Sequence, residues 1–210
     1  MGSTDSDTRT IHTVAVTGST GLVGKALCEE LHKQGYHVIR LVRDDARGLD
    51  DRTWNPTNPN PAVLDGVQAV IHLAGENTEG IWTPDKKRRI RDSRVIPTHK
   101  LAELAAQSDT VTTFICASAI GVYGDNRGAE VLTEASVPGD DYFADVVQKW
   151  EGACQPARAA GDQDALAGDP AAHSRTPAAS AASSMKRAMR TSLSVTPPAS
   201  CVVKSTSTRL

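Results

Sequence analysis

Up to about residue 160, short apolar runs alternate with longer segments of helical period. "IHTVAVTG" (11–18) predicts a short buried strand, and "HVIRLVR" (37–43) a second. "VQAVIHLAG" (67–75) predicts a third, ending at Gly75, and "VTTFICASA" (111–119) a fourth. Between the first two, "LVGKALCEELHKQG" places Leu22, Val23, Ala26, Leu27 and Leu31 at helical spacing, with Gly35 as its stop. "WTPDKKRRIRDSR" opens a helix with Thr83 as N-cap and Pro84 at its first position. "THKLAELAAQ" continues in helical period, and Pro97 is expected to kink or divide the pair. "DDYFADVVQKWEGACQPARAAG" (140–161) predicts a further amphipathic helix. Strands alternating with helices specify an α/β fold with a doubly wound parallel sheet, Rossmann-like.

Beyond that point the pattern stops. Residues 170–210 hold six Lys/Arg and no Asp or Glu, and 26 of these 41 residues are Ala, Ser, Thr or Pro. The segment carries +6 and the rest of the chain −8. Its composition predicts a disordered, low-complexity basic tail over 162–210. A basic arm for nucleic acid or an acidic membrane is disfavoured, because the charges are sparse and no aromatic residues sit between them. The expected organisation is a polar arm (1–11), a nucleotide-binding unit (12–161) and the tail. Cys28, Cys116, Cys154 and Cys201 are widely spaced and the six histidines show no ligand spacing, so no metal site is expected and the thiols are read as free. The polar first ten residues contain no apolar signal core, and no apolar run is long enough to span a bilayer, which predicts a cytoplasmic protein.

The candidate chemistry sits on "TGSTGLVG" (17–24). Gly18 permits the tight turn, Gly21 lets the backbone approach a pyrophosphate, and Gly24 lets helix and sheet pack closely. The helix N-terminus supplies unpaired N–H groups and positive potential. The end of the second strand distinguishes the dinucleotides: NAD sites place an acid there, whereas this chain has Val42 followed by Arg43. A guanidinium there pairs a 2′-phosphate, which favours NADP(H) over NAD(H); Asp44 and Asp45, one and two residues on, keep the NAD(H) alternative open. The run "KKRRIR" (86–91) could be a nucleic-acid patch, but on a helix its charges spread around the axis and read as a solvated face.

"TGSTGLVG", "HLAGEN" (72–77), "WTPDKKRRIRDSRV" (82–95), "ICASAIGVYG" (115–124) and "LTEASVPGDDYFADVVQKWE" (132–151) occur in this order. Together they resemble the "epimerase family protein" branch of the atypical short-chain dehydrogenases/reductases, close to the extended nucleotide-sugar epimerases, over about residues 12–161. The resemblance implies a Rossmann domain with NADP at the strand C-termini. It implies that Gly18, Ser19, Thr20, Gly21, Leu22 and Val23 line the pyrophosphate and that Arg43 meets the adenosine phosphate. Leu73, Ala74, Gly75 and Glu76 would lie along the ribose, with Ser118 near the nicotinamide.

Extended members of that superfamily use Ser/Thr, Tyr and Lys, the lysine lowering the pKa of the tyrosine four residues before it. Here Ala119 occupies the usual hydroxyl position, with Ser118 one residue early. Tyr142 lies in the right region, but Val146 stands where the lysine belongs, and Lys149 is seven residues away. Ser118 and Tyr142 are therefore the candidate catalytic residues, with a packing role for Tyr142 as the alternative. The strand, glycine-rich loop and substrate domain that the family places after "PARAAG" are missing, so the sheet is expected to be truncated with an open edge beyond the fourth strand. The expected function is an NADP(H)-binding reductase/epimerase-like protein, weak or inactive on an unknown small-molecule substrate. The alternative is a non-catalytic NADP-dependent regulatory or interaction protein.

Overall fold

In a computed structural model of the chain, residues 13–44, 46–133, 135–160 and 202–205 are described. The elements run β1 (Thr13–Thr17), α1 (Leu22–Lys33), β2 (His37–Val42), β3 (Asp51–Thr53), β4 (Ala69–His72), α2 (Pro84–Gln107), β5 (Thr113–Cys116), α3 (Tyr142–Gly152) and β6 (Val202–Ser205). They form one sheet of order β3-β2-β1-β4-β5-β6. The first five strands are parallel, and β6 is antiparallel to β5. This is the Rossmann-like doubly wound architecture that the strand–helix alternation predicts.

Each central strand is apolar on both faces, as a sheet covered on both sides requires. Val14, Val16, Val38, Ile71 and Ile115 pack with Leu27 and Leu31 of α1. Ala15, Ile39, Leu41, Val70 and Phe114 point the other way, toward Leu101 of α2 and Trp150 of α3. A fully buried aliphatic side chain stabilises the fold by about 1.5–3 kcal/mol, so the two helical layers are held mainly by this alternation. The register brings Thr17, Leu41, His72 and Cys116 to one level. The segments after β1, β2, β4 and β5 therefore emerge along one edge, and the crevice between β1 and β4 is where the winding direction reverses.

Four local features differ from the sequence reading. β4 ends at His72, because Leu73 and Ala74 turn their amides to the Thr17 hydroxyl (3.1 and 3.2 Å). β3 has only three residues, too few for a visible period, and is fixed by pairing Asp51, Arg52 and Thr53 with Arg40, Leu41 and Val42. Pro97 does not divide α2, which is continuous over Pro84–Gln107. An interior proline costs about 3 kcal/mol, offset here by the burial of Ile90, Pro97, Thr98, Leu101, Ala102 and Ala105. The fourth concerns the tail, most of which lies outside the described residues, as does the N-terminal arm. Val202–Ser205, read as unstructured, pair with β5, Thr113 opposite Ser205 and Cys116 opposite Val202. The edge expected to be open is thus covered by backbone from the same chain, since an unpaired strand edge offers its N–H and C=O groups to any extended segment.

The predicted caps are in place. Thr83 accepts the Lys86 amide with Pro84 at the first position, and Gly35 closes α1 at φ +85. No helix of the described residues is long and apolar enough to cross a membrane, and no cluster of metal-ligand type occurs among them.

Candidate functional site

The glycine turn is built by steric exclusion. Gly18 has φ +67, and a Cβ there would stand 2.9 Å from Ala74 N and Leu73 C. Gly24 lies buried in α1, where a Cβ would come within 2.8 Å of Gly18 C and Ser19 Cα. The segment after β4, the turn after β1 and the first turn of α1 therefore touch backbone to backbone. Gly21 is the N-cap of α1, and no side chain caps that end. The first backbone bond into the helix runs from Lys25 N to Gly21 O (2.9 Å). The amides of Leu22, Val23 and Gly24 precede it, at the end of the helix where amides have no intrahelical acceptor. Thr20, Gly21 and Leu22 are exposed around this head, Val23 is half-buried, and the buried Ser19 hydroxyl finds no partner among the described residues.

Across the crevice, the Thr17 hydroxyl accepts the amides of Leu73 and Ala74 and sits 2.7 Å from His72 Nδ1. With its acceptor positions filled, Thr17 donates to Nδ1, which puts the imidazole proton on Nε2. His72 is fully buried, and burial pushes its pKa down to about 4. Trp54 meets it edge-on, with ring centroids 6.1 Å apart.

This pair gives a pH prediction. An unfolded histidine titrates near 6.5 and the folded one near 4, so between these values the unfolded chain binds more protons. The stabilisation is fully present above about pH 6.5 and is lost as pH falls toward 4, by ~3 kcal/mol. Urea unfolding of the parent and of His72→Asn at pH 7 and pH 5 is expected to show a shallower loss in the variant. Parallel losses would show that His72 does not titrate in this way.

Leu73 and Ala74 are half-buried along the crevice and Gly75 is exposed beyond them. Glu76 is gripped by α2: its N–H donates to Ser93 Oγ (2.9 Å), and its carbonyl accepts from Arg94 Nη1 (3.1 Å). Its carboxylate meets Lys86 (3.1 Å) and Arg89 (3.6 Å). The Lys86 hydrogen bond, ahead of the Lys86 and Arg89 charges, holds that carboxyl below the usual range against the opposing effect of burial. The run "KKRRIR" is therefore largely engaged internally: Arg88 pairs Asp85, Arg91 pairs Asp92, and Lys87 lies 5.0 Å from the centre of the Tyr142 ring. Arg43, directly after β2, is exposed and makes no hydrogen bond or ion pair among the described residues.

The two candidate catalytic residues bond to different partners. Ser118, two residues beyond β5, donates its hydroxyl to Glu151 near the end of α3. Tyr142 begins that helix, nine residues earlier or about 13 Å along its axis. Its hydroxyl donates to the Lys87 carbonyl (2.6 Å). Burial raises the Tyr142 pKa, more than Arg91 and Arg94 lower it. Val146 is fully buried, and Lys149 is exposed and paired with Asp145 (2.7 Å). Ala119 caps a 3-10 turn over Ile120–Tyr123 with no hydroxyl to offer. The sequence reading did not anticipate Glu151 as the partner of Ser118; the adjoining Trp150, whose Nε1 donates to Thr98 (3.0 Å), is the signal that this end of α3 packs inward.

A nicotinamide dinucleotide fits the turn: backbone segments approach one another there through glycine, the helix head has no side-chain cap, and among the described residues the buried Ser19 hydroxyl and the Arg43 guanidinium have no partner. Comparison with known proteins agrees. An epimerase family protein of Mycobacterium leprae is 38% identical over 158 residues, covering 73% of this chain and 50% of the relative. A nucleoside-diphosphate sugar epimerase from Corynebacterium glutamicum superposes with TM-score 0.65 at 47% identity, over 74% of this chain and 32% of that one. A human epimerase family protein crystallised with NADPH superposes with TM-score 0.57 at 28% identity, over 68% of this chain and 48% of that one. The chain spans about half the length of the curated relatives it matches. The sequence pattern of the NAD dependent epimerase/dehydratase family matches residues 14–168, and the chain belongs to that family.

Proposed function

We propose that the chain is an NADP(H)-binding unit of the reductase/epimerase type with little or no hydride-transfer activity of its own. The observation that carries the cofactor reading is Arg43, directly after β2, an exposed guanidinium without a partner among the described residues. The NADPH bound by the human relative supports it. When bound, the nicotinamide supplies or accepts hydride; the chain's own part is to hold the pyrophosphate at the head of α1 and to select the adenosine end. An NADP-dependent regulatory role is the second reading, favoured by the engagement of Tyr142 with the Lys87 carbonyl and by the buried Val146. We read the setting as cytoplasmic, supported by buried free thiols at Cys28, Cys116 and Cys154, and the ligand as a small molecule rather than nucleic acid, supported by the engaged basic residues of α2.

Fluorescence titration tests the cofactor reading. NADPH is expected to bind more tightly than NADH, and Arg43→Ala to weaken NADPH by about 2 kcal/mol, roughly thirtyfold, with NADH little changed. Equal affinities in the parent would end it.

A further inference from the structure

The segment after β4 is fastened to α2 at one peptide unit on either side of Glu76. The Glu76 N–H donates to Ser93 Oγ (2.9 Å), and the Glu76 carbonyl accepts from Arg94 Nη1 (3.1 Å). Both side chains are anchored in turn on the carbonyl of Ile90, one helical turn back. Ser93 Oγ donates to it at 3.1 Å, and Arg94 Nη1 at 3.1 Å. Ile90 is fully buried, so this clamp starts from the inner face of α2.

Arg94 differs from the other cations of the helix. Arg88 and Arg91 pair with Asp85 and Asp92, while Lys86 and Arg89 meet the Glu76 carboxylate. Arg94 forms no ion pair among the described residues. It is half-buried, with its guanidinium carbon 5.3 Å from the centre of the Trp150 ring. Burial pulls its pKa below the ordinary value, more than Tyr142 and Glu76 raise it. Desolvating a guanidinium costs free energy. What offsets the cost here is a loop carbonyl and an aromatic face, a combination that suits a planar fork and not an ammonium.

The same guanidinium lies against Gly75, where a Cβ would stand 3.2 Å from Arg94 Cζ. Leu73–Glu76 is therefore held from two sides. Thr17 accepts the amides of Leu73 and Ala74, and Arg94 holds the Gly75–Glu76 end. Trp150, against which Arg94 rests, is followed in α3 by Glu151, the acceptor of the Ser118 hydroxyl. Arg94 thus joins the segment after β4 to the helix that holds the segment after β5.

We propose that Arg94 is a positioning residue for the dinucleotide: it fixes Leu73–Glu76, the segment expected along the cofactor's ribose, and so sets the affinity for NADPH and NADH alike. The inference rests on the cofactor reading above and adds a residue that governs affinity without governing preference.

The test is titration of the full chain and of Arg94→Ala, Arg94→Lys and Arg43→Ala with NADPH and with NADH, beside amide hydrogen exchange of the free proteins. Arg94→Ala is expected to weaken both cofactors about tenfold at an unchanged NADPH:NADH ratio, with Arg94→Lys recovering part of the loss. Exchange at Gly75 and Glu76 is expected to quicken in Arg94→Ala while β4 and β5 keep their protection. Unchanged affinities overturn the assignment. A loss confined to NADPH also overturns it, since that marks a direct phosphate contact. So does a loss of protection spread over β4 and β5, which marks a purely structural role. A parent without preference ends the NADP(H) reading but not this inference, which the Arg94 variants still decide. A parent that binds neither dinucleotide ends both. Should Arg94→Ala fail to fold, Arg94→Lys decides by the same criteria.

Discussion

Gly24→Ala is expected to destabilise the fold by ~3 kcal/mol and to weaken NADPH binding at least tenfold. The new Cβ would lie 2.8 Å from Gly18 C and Ser19 Cα, backbone atoms that cannot rotate aside. Relief requires α1 to move outward, which opens its contact with the Val14–Val16 face of β1 and displaces the amides at its head. Overpacking of this kind costs about 1–3 kcal/mol, more where the neighbours are rigid, against a total stability of about 5–15 kcal/mol for an ordinary domain. Gly35→Ala is the matched control. Its φ of +85 is strained for alanine, but nothing stands within 4 Å, so the cost should stay near 1 kcal/mol and the cofactor should bind as before. Thermal melts and NADPH titrations of both variants decide the point. Equal behaviour of the two would mean that close packing at the turn is not what forms the site.

NADPH oxidation at 340 nm against nucleotide-sugar and simple carbonyl substrates is expected to show little or no turnover, with Tyr142→Phe indistinguishable from the parent. Acid–base assistance by a positioned group contributes about 10²–10⁴-fold. Tyr142 would have to release the Lys87 carbonyl, and its pKa is raised, so it is a poor proton donor and a poorer base near neutrality. Val146 is fully buried, so its position faces the core instead of a substrate and leaves no lysine beside the phenol. Ser118 is engaged with Glu151 at the far end of the same helix. Robust turnover abolished by Tyr142→Phe or Ser118→Ala would refute this and show that the two residues come together on binding.

What the sequence made legible follows from how local each signal is. The four predicted strands, the Thr83–Pro84 helix start and the glycine turn are written in adjacent residues, and each is present, with β4 shorter than its apolar run. β3 was invisible because three residues carry no period; its position is dictated by Arg40, Leu41 and Val42, partners that lie eleven residues earlier. Pro97 misled because propensity counts the lost hydrogen bond and not the buried face that outweighs it. The tight turn at Gly18 and the close packing at Gly24 could be read from spacing alone. The engagement of Glu76 by Ser93, Arg94, Lys86 and Arg89, and of Ser118 by Glu151, depends on where α2 and α3 land on the sheet, which no local pattern encodes.

The strand that covers β5 pairs with it through the main chain: four residues in antiparallel register, using a C=O that every residue has and an N–H that every residue but proline has. Main-chain pairing asks of a segment that it be extended and lack an interior proline. The edge of β5 is thereby closed through groups that carry no sequence information, so the composition of the tail gave no sign of it.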